Sequence, residues 1–290
     1  MTQRLFRQEH PVLLGFIILG CIFLVFWGGI AFFISRLTHP GRDLPGGPGV
    51  GVVELFGPIF SPEDTLADRA EMRSNDKVKA IVLRIDSPGG AVGAAQEIYA
   101  EVLRTDKVKP VIASMGSLAA SGGYYAAIGA RKIYANPGTL TGSIGVIAKF
   151  ANLKELFDKI GYRSEVIKSG ALKDMGSPER EMTDEERQLL QSVLDSVHDQ
   201  FIEAVAERRN LPEETVRKLA DGRVLSGEQA LNAGLVDEYG NLTDAAEAAA
   251  AAGGLENPDD PQLIYPGDDQ PFWVKFLATE AESMLPALLR

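Results

Sequence analysis

The chain has 290 residues, 45% of them hydrophobic, and a formal net charge of -11. That length supports one sizeable core or two small domains, and an acidic balance with a pI near 4.9 excludes a nucleic-acid surface, whose affinity rests on clustered Lys and Arg. A single cysteine, Cys21, excludes internal disulfides and Cys-rich metal centres, and three histidines (His10, His39, His198) leave little material for histidine chemistry.

Residues Pro11 to Ile34 carry no charge, and as a helix they would be about 36 Å long, enough to cross a bilayer. The alternative is a cleaved signal peptide, for which Gly29-Ile30-Ala31 offers a small-x-small site. The apolar run is too long for that and continues past the site. A lipoprotein signal through Cys21 is weaker, because the following residues stay apolar. The basic residues tie across the span, Arg4 and Arg7 before it and Arg36 and Arg42 after it, so charge leaves its orientation open. Four regions follow: an N-terminus and membrane anchor (1–36), a Gly/Pro-rich tether (37–49), a folded domain (50–254), and a linker with a C-terminal amphipathic segment (255–290). In that last segment Lys275, Glu280 and Glu282 interrupt the apolar run, which favours a partner-helix or subunit contact over membrane insertion.

The folded domain opens with an apolar strand, "VGVVELFG". An amphipathic segment (Pro62–Ser74), a strand "VKAIVLRI", a helix (Ala91–Thr105), a strand "PVIASM" and a helix after Ser121 come next. Strands alternating with helices predict an α/β fold with largely parallel pairing. Further strands are predicted at "KIYA", "SIGVIAKF" and "RSEVIKS". The section Thr183–Leu242 is mostly helical and ends in a strand, helix, strand pattern over "DGRVLSGEQALNAGLVDEYG".

Three glycine-bearing joints stand at strand ends: "DSPGGAVGAA" (Asp86–Ala95), "GSLAASGGYYAA" (Gly116–Ala127) and "TLTGSIGV" (Thr139–Val146). Strand ends that face one way build a site. Gly89 and Gly90 can adopt backbone conformations closed to other residues, so their N–H groups can converge on an external oxygen as half of an oxyanion hole; a plain tight turn is the alternative. Ser121 precedes Gly122 and Gly123 at a helix start, where free N–H groups favour developing negative charge. A helix N-cap is the ordinary fate of a serine there. Ser114 and Ser117 fit turn roles better.

A serine nucleophile needs a base. His10 and His39 flank the apolar span and His198 sits within a long helix, so a Ser-His-Asp triad is not expected. A lysine is left, and with a reference pKa near 10.4 it needs burial worth about three units, roughly 4 kcal/mol, to be neutral near pH 7. Lys168 and Lys173, in "VIKSGALKDMGSPEREMTDEE", are both candidates.

In this order, "RIDSPGG", "GSLAASGGYYAA", "TLTGSIGV", "KSGALKDMGSP" and "DGRVLSGEQALNAGLVDEYG" resemble the motifs of the signal peptide peptidase A family, membrane-anchored Ser-Lys proteases related in fold to Clp protease and the crotonases. The resemblance covers about Val50 to Ala250. It implies an α/β, Clp protease/crotonase-like fold behind an N-terminal transmembrane helix, with Ser121 as nucleophile and Lys173 as general base. It further implies Ser143 as the residue that orients the base, and the N–H groups of Gly90, with Gly89 beside it, and of Gly122 as the oxyanion hole. Neither cofactor nor metal is implied. The expected partners are signal peptides or other short hydrophobic peptides, the membrane and further copies of the chain in a homo-oligomer, with no nucleic acid. The expected location is the inner (cytoplasmic) membrane, with a cytoplasmic N-terminus and an extracytoplasmic, periplasmic catalytic domain. The other classes compatible with the fold are a crotonase-like acyl-CoA enzyme and a non-catalytic membrane scaffold.

Overall fold

Between Val78 and Ser87 residues on both faces of the chain are apolar, a pattern that requires cover on both sides of a sheet. In the computed structural model, which describes residues 19–20, 23–24, 26–30 and 47–267, this segment is the strand β2 at the centre of an eight-stranded sheet. It lies between β1 (Gly49–Phe56) and β3 (Val111–Ala120), parallel to both. The crossovers that parallel pairing needs are supplied by α1 (Glu63–Ser74) after β1 and α2 (Val92–Asp106) after β2.

The free edge of β3 is shared. Its first half pairs with β4 (Lys132–Ala135) and its last residues with β5 (Leu140–Gly142), reached through the short helix α3 (Gly122–Ala127). After these come α4 (Lys154–Ile160), the long helix α5 (Asp184–Arg209) and α6 (Glu213–Leu219). The chain then adds β6 (Val224–Ser226) antiparallel to β5, a short helix α7 (Gly227–Asn232), β7 (Glu238–Tyr239) beside β4, α8 (Leu242–Ala252), and β8 (Leu263–Ile264) on the outer edge of β1.

Alternation along β2 sorts the two cores, because successive side chains point to opposite faces. Ile81, Leu83 and Ile85 pack with Met72, Ile98, Val102, Tyr124, Phe201 and Ile202. Ala80 and Val82 pack against the alanines of α8, Ala245, Ala246, Ala249 and Ala250. Small residues let α8 lie close: a Cβ on Gly253 would stand 3.0 Å from the Cβ of Ala80.

Helix α5 starts at a capping box between Thr183 and Glu186. Beyond Glu186, its buried residues, Phe201 to Ala206, all lie in its second half; Leu189 and Val193 are exposed. The segment before it departs from the sequence expectation, since Ser143–Phe150 and Arg163–Ser169 are not strands. A strand needs neighbours for its N–H and C=O groups; Ser143 and Ile144 bond the backbone of Arg223 and Gly222 just short of β6, but the left-handed Ser143 ends the ladder there. Only α4 forms there, without a buried residue, and Ile147, Phe150, Val166 and Ile167 stay exposed.

Residues 1–46 form a separate unit. Its described residues are helical, with Trp27 against Phe23 and Phe26 at ring-centroid distances of 5.9 and 6.2 Å. Among the described residues no helix is long and apolar enough to cross a membrane. The span expected at Pro11–Ile34 lies largely outside them, as do most of the tether and the amphipathic segment after Pro271.

Candidate active site

Strand β3 ends in register with Gly142 and α3 begins at Gly122, so Ser121 alone makes the strand-to-helix turn. Its backbone takes φ 52 and ψ -120, a left-handed conformation that costs a non-glycine residue about 1–3 kcal/mol. Two hydrogen bonds impose it: the Ser121 N–H donates to Gly142 O, and Ser121 O accepts the Tyr125 N–H, each at 2.9 Å. The side chain makes no capping hydrogen bond to α3. Its hydroxyl is therefore not spent as an N-cap, and the residue lines the cleft.

Facing it is the turn after β2. Ile59 bridges this turn by donating its N–H to Gly89 O (3.0 Å) and accepting the Ala91 N–H (2.7 Å). Both bonds lie on one side of the turn, so the N–H of the intervening Gly90 points to the other, where a Cβ placed on Gly122 would stand 3.3 Å from it. Only glycine fits at position 90, since a Cβ there would lie 2.0 Å from Ile59 O. The Gly122 N–H is the first of α3 and has no preceding helical carbonyl to bond. Two backbone donors thus flank Ser121. The N–H of Gly89, expected beside Gly90 as a further donor, donates to Ser87 Oγ at 3.1 Å. What Gly89 contributes is the φ of 88° that aims the turn.

The third joint shapes the opposite rim. Gly142 (φ 74) and Ser143 (φ 49) are consecutive left-handed residues, held by Ser143 N–H to Arg223 O at 2.8 Å and by Gly222 N–H to Ile144 O at 3.1 Å. Around Ser121 lies a small cleft of about 20 Å³, open to solvent, and its walls are Val92 and Ala95 of α2, Tyr125 of α3, Val146, and Val197 and Phe201 of α5. The Tyr125 ring is wedged between Tyr99 (5.2 Å, edge-on) and Phe201 (4.5 Å). Apolar walls beside a strained serine suit an apolar side chain next to the bond under attack. Val197 and Phe201 lie about 80 residues beyond Ser121 on a different element, and nothing local in the sequence announces them as wall residues.

The two lysines have different surroundings. Lys168 donates to Ala171 O at 2.7 Å and is ion-paired with Asp174. Arg180 donates to the other oxygen of Asp174 at 2.9 Å and also pairs with Glu186. Hydrogen bonds from Arg180 and then Lys168 hold the Asp174 carboxyl well below the usual range; Arg180 and the Thr183 backbone pull Glu186 down to about 2. Lys173 sits within this clamped turn, its N–H bonded to Gly170 O at 3.1 Å, and its side chain is exposed. Neither Lys173 nor the half-buried Ser143 lines the cleft around Ser121. A single chain thus brings together Ser121, Gly90 and Gly122, and leaves the expected base on its exposed arm. Among the described residues no cluster of three or more His, Cys, Asp or Glu is arranged to hold a metal ion.

Residues 65–141 match the family model described as Clp protease. Residues 104–256 match the model of peptidase family S49; with that match and the relatives below, the chain belongs to family S49 and is a serine peptidase. It is 46% identical over 195 residues to the putative protease slr0021 of Synechocystis, covering 67% of this chain and 70% of that one. It is 38% identical over 190 residues to the putative signal peptide peptidase SppA of Enterococcus faecium, covering 65% of this chain and 55% of the relative. The fold is shared with a mutant of the 1510-N membrane-bound stomatin-specific protease at a TM-score of 0.51 and 17% identity, over 76% of this chain and 98% of that one.

Proposed function

We propose that the chain is a membrane-anchored endopeptidase with a Ser121–Lys173 dyad that degrades cleaved signal peptides or other short hydrophobic peptides. The observation that carries this reading is the uncapped Ser121, strained at φ 52 and set between the Gly90 and Gly122 amides on an apolar cleft. Lys173 takes the Oγ proton as Oγ attacks the peptide carbonyl carbon, and the two amides bind the oxyanion. As the C–N bond breaks, the protonated lysine returns its proton to the leaving amine. Lys173 then activates a water that hydrolyses the acyl ester, and Ser143 orients the amine throughout.

The dyad is completed between copies of the chain. An amine base working near neutral pH has to be withdrawn from water, while Lys173 is exposed, as are Ile147, Phe150, Val166 and Ile167 in the stretch between β5 and α5 that carries it. A neighbouring copy packed on that apolar arm supplies the Ser121 cleft and removes the lysine from water. The segment 1–36 anchors this assembly in the cytoplasmic membrane through one span, the tether 37–49 joins it to the protease domain 50–254 on the extracytoplasmic side, and residues 255–290 form a linker and amphipathic segment. Support for peptide and membrane comes from the apolar cleft, the uncharged run Pro11–Ile34 and the relative named as a signal peptide peptidase.

A fluorophosphonate tests the reading. The full chain is expected to be labelled at Ser121, with labelling lost in Ser121→Ala and strongly slowed in Lys173→Ala. Hydrolysis of hydrophobic peptides without labelling at Ser121 would overturn it.

A further inference from the structure

Ser87 has no place in the chemistry above, yet it is a fully buried polar residue beside the Ser121 site. Its hydroxyl donates to Gly57 O at 2.7 Å, just beyond the end of β1, and accepts the Gly89 N–H at 3.1 Å. On its other side it abuts the start of α3: a Cβ on Gly123 would stand 2.9 Å from Ser87 O and 3.4 Å from Ser87 Cβ. One side chain thus joins the exit of β1, the turn that presents Gly90 and the helix that presents Gly122. The pairing of β2 with β3 is also irregular here, between Ile85 and Ser87, so the ladder by itself does not dictate where this turn goes.

We infer that Ser87 is a positioning residue that sets the oxyanion site through the Gly89–Gly90 turn, an inference that rests on the proposed peptidase reading. Glycine reaches negative and positive φ about equally well, so nothing in Gly89 itself holds it at φ 88. The bond from its N–H to Ser87 Oγ does so, because a buried N–H without an acceptor is strongly disfavoured. Ile59 fixes the following peptide by bonding Gly89 O. Together the two clamps determine where the Gly90 N–H points. With Ser87 replaced by alanine the packing survives, but the Gly89 N–H has to seek another acceptor, and the turn that carries the Gly90 N–H moves with it.

The test separates binding of charge on the carbonyl oxygen from binding of peptide. In the full chain, Ser87→Ala is expected to lower kcat for a hydrophobic peptide by about tenfold or more with KM within about twofold, somewhat less than outright loss of an oxyanion donor. A peptide aldehyde, whose hemiacetal with Ser121 places an oxyanion in the site, should lose affinity by about the same factor, while the matching peptide alcohol binds as before. If the alanine chain does not fold, Ser87→Cys, close to serine in size and a weaker hydrogen-bonding group, reads the same selective loss. A folded variant with unchanged kcat, or with aldehyde and alcohol weakened alike, overturns the role of Ser87 alone. An unsubstituted chain that neither cleaves peptide nor binds the aldehyde overturns this inference and the peptidase reading together.

Discussion

The Ser121 N–H donates to Gly142 O at 2.9 Å, tying together two residues that both hold left-handed φ, 52° and 74°. At Gly142 that conformation is free of a Cβ penalty; at Ser121 it is not. Ser121→Gly should therefore abolish activity and stabilise the fold by about 1 kcal/mol, the relief of strain exceeding the extra flexibility of the unfolded chain. Thermal unfolding of the two chains measures it. A lower melting temperature for the glycine variant would show that the serine is not strained.

In the proposed dyad nucleophile and base act as one unit, so Ser121→Ala and Lys173→Ala should each cost about a thousandfold or more in kcat, and the double variant should be no worse than either. Lys168 is committed to Asp174 and Ala171 O, contacts within the turn that carries Lys173. Lys168→Ala, which removes a clamp on the turn and leaves the proposed base in place, should lower kcat less than about tenfold. Peptide hydrolysis by all four proteins decides, and a reversed order for the two lysines would reassign the base.

Ser121→Ala and Lys173→Ala chains co-assembled from a mixed, unfolded or co-expressed pool should recover activity, because some neighbouring pairs contain an intact serine on one chain and an intact lysine on the other. A dyad closed within each chain leaves every site defective at any mixing ratio. Recovery in proportion to mixed pairs is the expected outcome.

Val197 stands in the cleft wall on α5 and is only half-buried, so it can be enlarged with little damage to the core. Val197→Phe should fill the cleft and reduce kcat/KM for peptides with leucine before the cleaved bond by about 10- to 100-fold, while alanine at that place is retained. Equal losses for both peptides would place the specificity pocket elsewhere.

Acid should release the lysine-bearing turn late. The carboxyls of Asp174 and Glu186 are lowered on folding, Glu186 to about 2 and Asp174 further. Their contribution is thus complete above the ordinary carboxyl value near 4, shrinks below it, and is gone once pH falls through those lowered values. Hydrogen exchange across residues 168–186 should remain protected at pH 3 in the full chain, and Arg180→Ala should shift the loss upward toward pH 4. Release at the same pH in both proteins would remove Arg180 as the cause.

Much of the core was legible because it is local. Alternation within β1, β2 and β3 and the helical periods between them are set by side chains a few residues apart, and they agree with the strands and helices found. The segments Ser143–Phe150 and Arg163–Ser169 misled for the converse reason. Their composition suits a strand, but a strand exists only where a neighbouring backbone continues the hydrogen-bond ladder, and after the left-handed Ser143 and the bonds of Ser143 and Ile144 to Arg223 and Gly222 it does not continue.

The sequence by itself determined the α/β order and the three glycine joints at strand ends, since glycine requirements and apolar periodicity are written into neighbouring residues; the choice of Ser121 among its serines came from the resemblance of its motifs. Only the tertiary structure decided that Ser121 is strained and uncapped, that Ser87 takes the Gly89 N–H and leaves Gly90 and Gly122 as donors, and that Lys168 is engaged while Lys173 stands exposed outside the cleft. Those outcomes depend on which donor meets which acceptor after distant segments have packed, and hydrogen-bond partners chosen across a fold leave no trace in the spacing of residues along it.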